Sequence, residues 1–125
     1  MQPFSICLEN FIDAVQQSVN ADFARHYSNL VPPRFEMMEG KRYVRVVRQD
    51  RCYVYKDGQR TEEIVDGGGR SVYCFVDKVN GDILKAASWK APVTKHARGN
   101  IFASEQPTGS LYMTSPGVNP VLRQE

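Results

Sequence analysis

The chain has 125 residues, 42% of them hydrophobic. That is one domain's worth with a modest core, and too little for a two-domain enzyme with a cleft between its halves. Lysine and arginine number 16 against 14 aspartate and glutamate, a formal net charge of +2. This balance excludes an acidic disordered tail and a strongly cationic DNA-compacting protein. No apolar run approaches a bilayer span, and the first residues lack the basic stretch and apolar core of a secretion signal, so the expectation is a soluble, intracellular protein.

The first segment reads as one amphipathic helix. Phe4, Leu8, Phe11, Ile12, Val15, Val19 and Phe23 recur at helical spacing, with Glu9, Asp13, Gln16, Gln17 and Asn20 on the other faces. Pro3 suits the first turn, and the helix should fade around Tyr27 to Asn29 because Pro32 and Pro33 cannot extend it. Such a helix is marginal alone in water and needs a sheet to lie on.

Candidate strands follow over Arg34 to Glu39, Lys41 to Gln49 and Cys52 to Lys56. Residues 57–69, charged and then closing on Gly67-Gly68-Gly69, read as a mobile or weakly paired hairpin arm. Arg70 to Val79 and Asp82 to Ser88 flank Asn80-Gly81, a strong short hairpin signal because a type I′ turn needs two positive φ angles. Pairing Val79 with Asp82 would set Val76 opposite Lys85, Cys74 opposite Ala87 and Val72 opposite Trp89. Tyr73, Phe75, Leu84 and Ala86 would then share the other face. Both faces are apolar and one helix covers one of them, so the second should meet a subunit, the C-terminal tail or a ligand.

Residues 89–102 show no clean period, and 103–125 carry Leu111, Tyr112, Met113, Val118, Val121 and Leu122 between prolines and glycines. The expectation is a single α+β domain over 1–102. Its N-terminal helix packs on a curved antiparallel sheet of four or five strands, followed by an extended, irregular C-terminal tail over 103–125.

Cys7, Cys52 and Cys74 are odd in number with no CxxC spacing, so the reading is three reduced, buried thiols, with neither a disulfide framework nor a metal site. No phosphate-loop, zinc-protease or paired-carboxylate signature is present, and a Cys74–His96 pair is a poor candidate for nucleophilic catalysis. The expectation is a non-enzyme without a cofactor.

Charge is unevenly spread. Lys41, Arg42, Arg45, Arg48 and Arg51 stand against Asp50, and Lys78, Lys85, Lys90, Lys95 and Arg98 against Asp82. Two basic strips in one antiparallel sheet can converge, and Tyr43 and Trp89 lie near them to stack a base. Ala97-Arg98-Gly99-Asn100 suits an anion-binding loop: guanidinium for phosphate, glycine for close approach, amide for a base edge. His96 is better placed as an anion contact than as a general base. The candidate ligand-binding residues are therefore Tyr43, Arg45, Lys85, Trp89, Lys90, Lys95, His96, Arg98 and Asn100. A net charge of +2 favours a compact phosphorylated ligand over a long nucleic acid, which rewards a more basic surface.

The runs Ser71-Val-Tyr-Cys-Phe-Val-Asp77, Asn80-Gly-Asp-Ile-Leu-Lys-Ala-Ala-Ser-Trp-Lys-Ala-Pro92 and His96-Ala-Arg-Gly-Asn-Ile-Phe102 resemble a group of small proteins of tailed bacteriophages. The resemblance implies a role in the host cytoplasm, in manipulating host pathways or handling phage DNA, or else as a minor virion component. The leading expectation is an oligomeric phage protein that binds a nucleotide-type ligand, sequestering a host nucleotide immune signal in counter-defence. The alternatives are a single-stranded nucleic-acid-binding protein and a virion or host-interaction protein.

Overall fold

A computed structural model describes residues 3–103; apart from Ala103, the expected tail lies outside the described residues. Helix α1 spans Phe4–His26, close to 34 Å at about 1.5 Å per residue. Pro3 stands at its N-cap, just outside the first turn, and the Tyr27 N–H closes back on the Phe23 carbonyl at 2.8 Å. Cys7, Leu8, Phe11, Val15 and Val19 form its buried stripe, at the spacing that keeps side chains on one helical face.

Five strands follow: β1 Arg34–Glu39, β2 Tyr43–Lys56, β3 Gln59–Asp77, β4 Asp82–Leu84 and β5 Gly99–Asn100. Each lies beside its neighbour in sequence, giving one antiparallel sheet in the order β1-β2-β3-β4-β5. The fold is the expected α+β arrangement, one N-terminal helix packed on an antiparallel sheet. The helix covers the face of Val44, Val46, Cys74, Val76 and Ile83, which with Phe35 and Ile101 complete the core.

The tightest turn is at Asp57-Gly58, not at Asn80-Gly81. Asp57 and Gly58 take φ of 54° and 77° between paired Lys56 and Gln59, which is the two-residue hairpin pattern of positive φ at both central positions. Residues 59–69, expected as a weakly paired arm, are instead continuous with β3. At the other turn, Gly81 alone takes a positive φ, of 80°. The Asp77 carboxylate accepts from the Val79 N–H and Asn80 Oδ1 from the Asp82 N–H, while the Gly81 N–H reaches the Asp77 carbonyl, each at 2.8 Å. These local acceptors favour a four-residue loop over a two-residue one.

The register consequently pairs Phe75 with Leu84 and Val76 with Ile83, two residues away from the expected pairing. A shift of two preserves the faces, so Phe75 and Leu84 do share one. The expected opposition of Cys74 with Ala87 and Val72 with Trp89 does not form, because β4 ends at Leu84. Tyr73 also leaves its expected face. The ladder jumps from Val46–Cys74 to Val47–Val72, and this bulge turns Tyr73 into the helix-side core, where its ring meets Phe35 edge-on at 5.0 Å.

The sheet's second face is covered in part by the chain itself. After β4 an Ala86–Pro92 bridge and a 2.7 Å bond from the Val93 N–H to the Lys85 carbonyl fold residues 85–93 back. Trp89 is thereby brought over Arg45 and Arg70. Beyond Gln49 and Arg70, β2 and β3 run on as a two-stranded ribbon past the ends of β1 and β4. Cys52 lies on this ribbon and is exposed, whereas Cys7 and Cys74 are buried; the expectation of three buried thiols fails where the sheet outruns its helix.

Asp77 ends β3 with a buried carboxylate that accepts from Arg42 Nε at 3.0 Å and Nη2 at 2.9 Å. The Arg42 guanidinium, aided by the Val79 N–H, holds this carboxyl below its ordinary 3.8. A carboxyl depressed on folding stabilises the protein above its unfolded value, and that contribution disappears as pH falls through the folded value. Glu36, depressed first by Arg70 and also by Arg34, acts in the same direction. Stability should therefore be level from neutral pH down to about pH 4–5 and fall below it. Asp77→Asn should lose about 1–3 kcal/mol at pH 7 and show a shallower acid decline, both read from urea midpoints across pH.

Candidate functional site

The β1–β2 turn, Gly40–Arg42, is held in place by several bonds. The Gly40 N–H reaches the Tyr43 carbonyl at 2.9 Å, and the Lys78 N–H reaches the Arg42 carbonyl at 2.9 Å. Lys78 Nζ binds Glu39 at 2.6 Å and donates to the Gly40 carbonyl at 3.0 Å. The turn is thus tied to the β3–β4 loop, and its cations project from a braced backbone.

Beside the turn, on the helix-free face, lies a groove of about 240 Å³ lined by Met38, Glu39, Gly40, Lys41, Arg42, Tyr43, Arg45, Phe75 and Lys90. Four cations face one carboxylate, Glu39, which Lys78 already engages. Strand alternation puts Tyr43, Arg45 and the paired Phe75 on one side of the sheet. Tyr43 meets Phe75 edge-on at 6.2 Å, forming an aromatic wall.

Arg45 is held by two rings and a backbone carbonyl. Its Cζ lies 5.7 Å from the Phe75 ring centre and 5.0 Å from that of Trp89, and its Nε donates to the Trp89 carbonyl at 2.7 Å. Nη1 meets the Met38 sulfur at 3.9 Å. Among the described residues no carboxylate pairs with Arg45, nor with Lys41 or Lys90. A guanidinium held by rings and a carbonyl keeps its charge unneutralised and retains N–H donors for an incoming anion. Arg42 differs, since Asp77 takes its Nε and Nη2.

Of the residues expected to bind ligand, the structure brings Tyr43, Arg45, Trp89 and Lys90 together and leaves the others elsewhere. Lys85 sits at the end of β4, half-buried, and Lys95 and His96 are exposed in the loop before β5. Residues 97–100, expected as an anion-binding loop, are bonded along the edge of β4. The Arg98 N–H bonds the Ile83 carbonyl at 2.6 Å, Gly99 pairs with Ile83 and Asn100 with Asp82. Arg98 is only 6% exposed, and burial lowers its guanidinium from the ordinary value. The Asn100 amide donates to the Asn80 carbonyl at 2.8 Å and to Asp82 Oδ1 at 3.0 Å, so it closes the β3–β4 loop and has no N–H left to read a base.

Lys41, Arg42 and Phe75 line the groove without having been among the expected residues, and Arg70 Cζ lies 5.3 Å from the Trp89 ring centre. Period-two alternation along β3 puts Phe75 on the face away from Cys74 and Val76, but its pairing with Arg45 follows from the β2–β3 register and the approach of Arg70 to Trp89 from the fold-back of 85–93. Cys74 is fully buried on the helix side with its thiol pushed up by burial, and His96 is exposed. Among the described residues no three His, Cys, Asp or Glu side chains gather as a metal set, and no helix is long and apolar enough to cross a membrane.

Fold and groove together define the class: a one-helix antiparallel α+β meander with a basic, aromatic-walled groove on its helix-free face. The chain belongs to a family of unknown function, DUF7717, whose model matches residues 5–114. No curated protein and no solved structure matches it.

Proposed function

We propose that the protein is a non-enzymatic binder of a small phosphorylated, nucleotide-type ligand, which it takes in the groove beside Arg45. The observation that carries this reading is the Arg45 guanidinium, which has no carboxylate partner among the described residues and is braced by Phe75 and Trp89, with Lys41 and Lys90 on the same groove. Phosphate would sit on the guanidinium and ammonium groups, and the Tyr43–Phe75 wall would meet a base or sugar. A volume of about 240 Å³ is below the roughly 300–1,000 Å³ of sites that enclose a drug-sized ligand, so one phosphate and its adjoining ring would be held and the remainder left in solvent. The bacteriophage resemblance supports a purpose in the host cytoplasm, sequestering a nucleotide immune signal.

The chain contains a single tryptophan, and Trp89 rests on Arg45, so its fluorescence reports on the groove. Titration with nucleoside monophosphates, cyclic dinucleotides, ADP-ribose and inorganic phosphate should give a saturable change with at least one nucleotide. Arg45→Ala should weaken it by about 10–100-fold, the equivalent of one lost charge-assisted contact, and Lys90→Ala by less. No response to any of these ligands overturns the reading. Affinity that climbs with oligonucleotide length and drops steeply with salt would instead assign the groove to single-stranded nucleic acid.

A further inference from the structure

The Trp89 ring has two cations beside it. Arg45 Cζ lies 5.0 Å and Arg70 Cζ 5.3 Å from the ring centre. The two guanidiniums also share the Met38 sulfur, which Arg45 Nη1 meets at 3.9 Å and Arg70 Nη2 at 3.7 Å. Those nitrogens therefore stand no further apart than the sum of the two distances. Like charges this close repel, the more so beside rings that exclude water. An anion laid across both removes that cost and gains charge-assisted hydrogen bonds.

Arg70 also opens a hollow of its own, about 340 Å³, lined with Ser71, Ser88, Trp89, Val72 and two alanines, and by no carboxylate. Trp89 borders this hollow and its chain neighbour Lys90 borders the groove beside Arg45, so the two depressions meet along residues 89–90. The carboxylate partner of Arg70 is a shared one. Arg70 Nη2 donates to Glu36 Oε1 at 2.9 Å, while Glu36 Oε2 accepts from Arg34 Nη1 at 2.8 Å. Arg34 has Asp66 besides. Glu36 thus engages Arg70 through one nitrogen of a group that carries five N–H donors, and Arg70 can hold Glu36 and a phosphate oxygen together.

We infer that the ligand carries two adjacent phosphates, one taken by Arg45 and the other by Arg70, across the edge of Trp89. This rests on the reading of the Arg45 groove as a phosphate site and specifies its substrate class: a nucleoside diphosphate or a pyrophosphate-linked nucleotide, not a monophosphate. The spacing selects adjacent phosphates, because parallel hydrogen bonds from the two guanidiniums end on oxygens about as far apart as the donors themselves.

The test is calorimetric titration at fixed ionic strength with AMP, ADP, GMP and GDP. At least one diphosphate should bind about ten-fold tighter than its monophosphate, as a second charge-assisted contact provides. Arg70→Ala should erase that preference and leave monophosphate affinity within about two-fold, whereas Arg45→Ala weakens both classes. Glu36→Gln, which releases Arg70, should tighten the diphosphate alone by about three-fold. Arg60→Ala removes a cation that lies over Tyr53 on the ribbon and should change neither class, which separates the contact from a loss of overall charge. Should Arg70→Ala be unfolded at the working temperature, the Glu36→Gln ratio decides. Equal affinity for the two classes in the wild type, or a preference that survives Arg70→Ala, overturns the two-phosphate assignment and leaves the single-phosphate reading standing. Failure of all four nucleotides to bind overturns it too, and the reading beneath it as well if cyclic dinucleotides and ADP-ribose are also inert.

Discussion

Phe11→Ala should destabilise the protein by about 3–5 kcal/mol, the largest loss from a single truncation in this fold. Phe11 has no exposed surface and lies in the middle of the α1 stripe, within the cluster formed by Leu8, Val15, Val46, Cys74 and Val76. Its removal forfeits transfer energy and leaves a void that a pleated sheet under a rigid helix cannot collapse to fill. Against a total of about 5–15 kcal/mol for an ordinary domain, the variant should unfold on the order of 15–30 °C lower. Ile6, 44% exposed on the same helix, is the control, and Ile6→Ala should stay within about 0.5 kcal/mol of wild type. A Phe11→Ala midpoint as high as that of Ile6→Ala would mean that α1 does not close the core.

Gly81→Ala should cost about 2–4 kcal/mol from two sources acting together. Gly81 holds φ at 80°, in the left-handed region that a Cβ disfavours. An added Cβ would also stand 2.6 Å from Phe102 Cε2, an approach that real Cβ atoms do not make, and a tight 3.1 Å from Ile101 Cγ1, so the aromatic ring must move. The same glycine joins three segments: its N–H bonds the Asp77 carbonyl and its carbonyl accepts from the Ile101 N–H at 2.9 Å. Displacing Phe102 should release its edge contact with Phe4, and hydrogen exchange should quicken in β4, β5 and the first turns of α1 before the rest. Gly58→Ala is the comparison. Its φ is 77° but nothing lies within 4 Å of the added atom, so only the conformational cost, about 1–2 kcal/mol, should appear. Equal losses at the two positions would show that the Phe102 contact contributes nothing.

The helix and β1 were legible from sequence because each writes its own period: Phe11, Val15 and Val19 recur at helical spacing, and Arg34–Glu39 is bounded by prolines and a glycine. The turns were less so. Asp57-Gly58 and Asn80-Gly81 carry the same kind of signal, yet only the former adopts positive φ at both positions. The difference comes from Asp77 and Asn80, whose side chains accept backbone N–H groups inside the second loop, and from Phe102 packed against Gly81. In the candidate site, Tyr43 and Arg45 shared a face by alternation alone. The separation of Arg98 and Asn100 from them was not readable, because 97–100 has no strand period and becomes β5 only by adding to the edge of β4.

Local order followed from the sequence by itself: one amphipathic helix, an antiparallel sheet after it, two basic strips and an aromatic residue near each. These depend on side-chain spacing along a few turns or strands, and neighbours in the chain decide them. Tertiary structure alone decided which cations meet. Arg45 gains Trp89 because the chain doubles back after Leu84, and Arg98 is lost to the interior because β5 must supply a partner for Ile83. Both outcomes rest on backbone hydrogen bonds between residues far apart in sequence, which are satisfied only once the whole sheet has assembled.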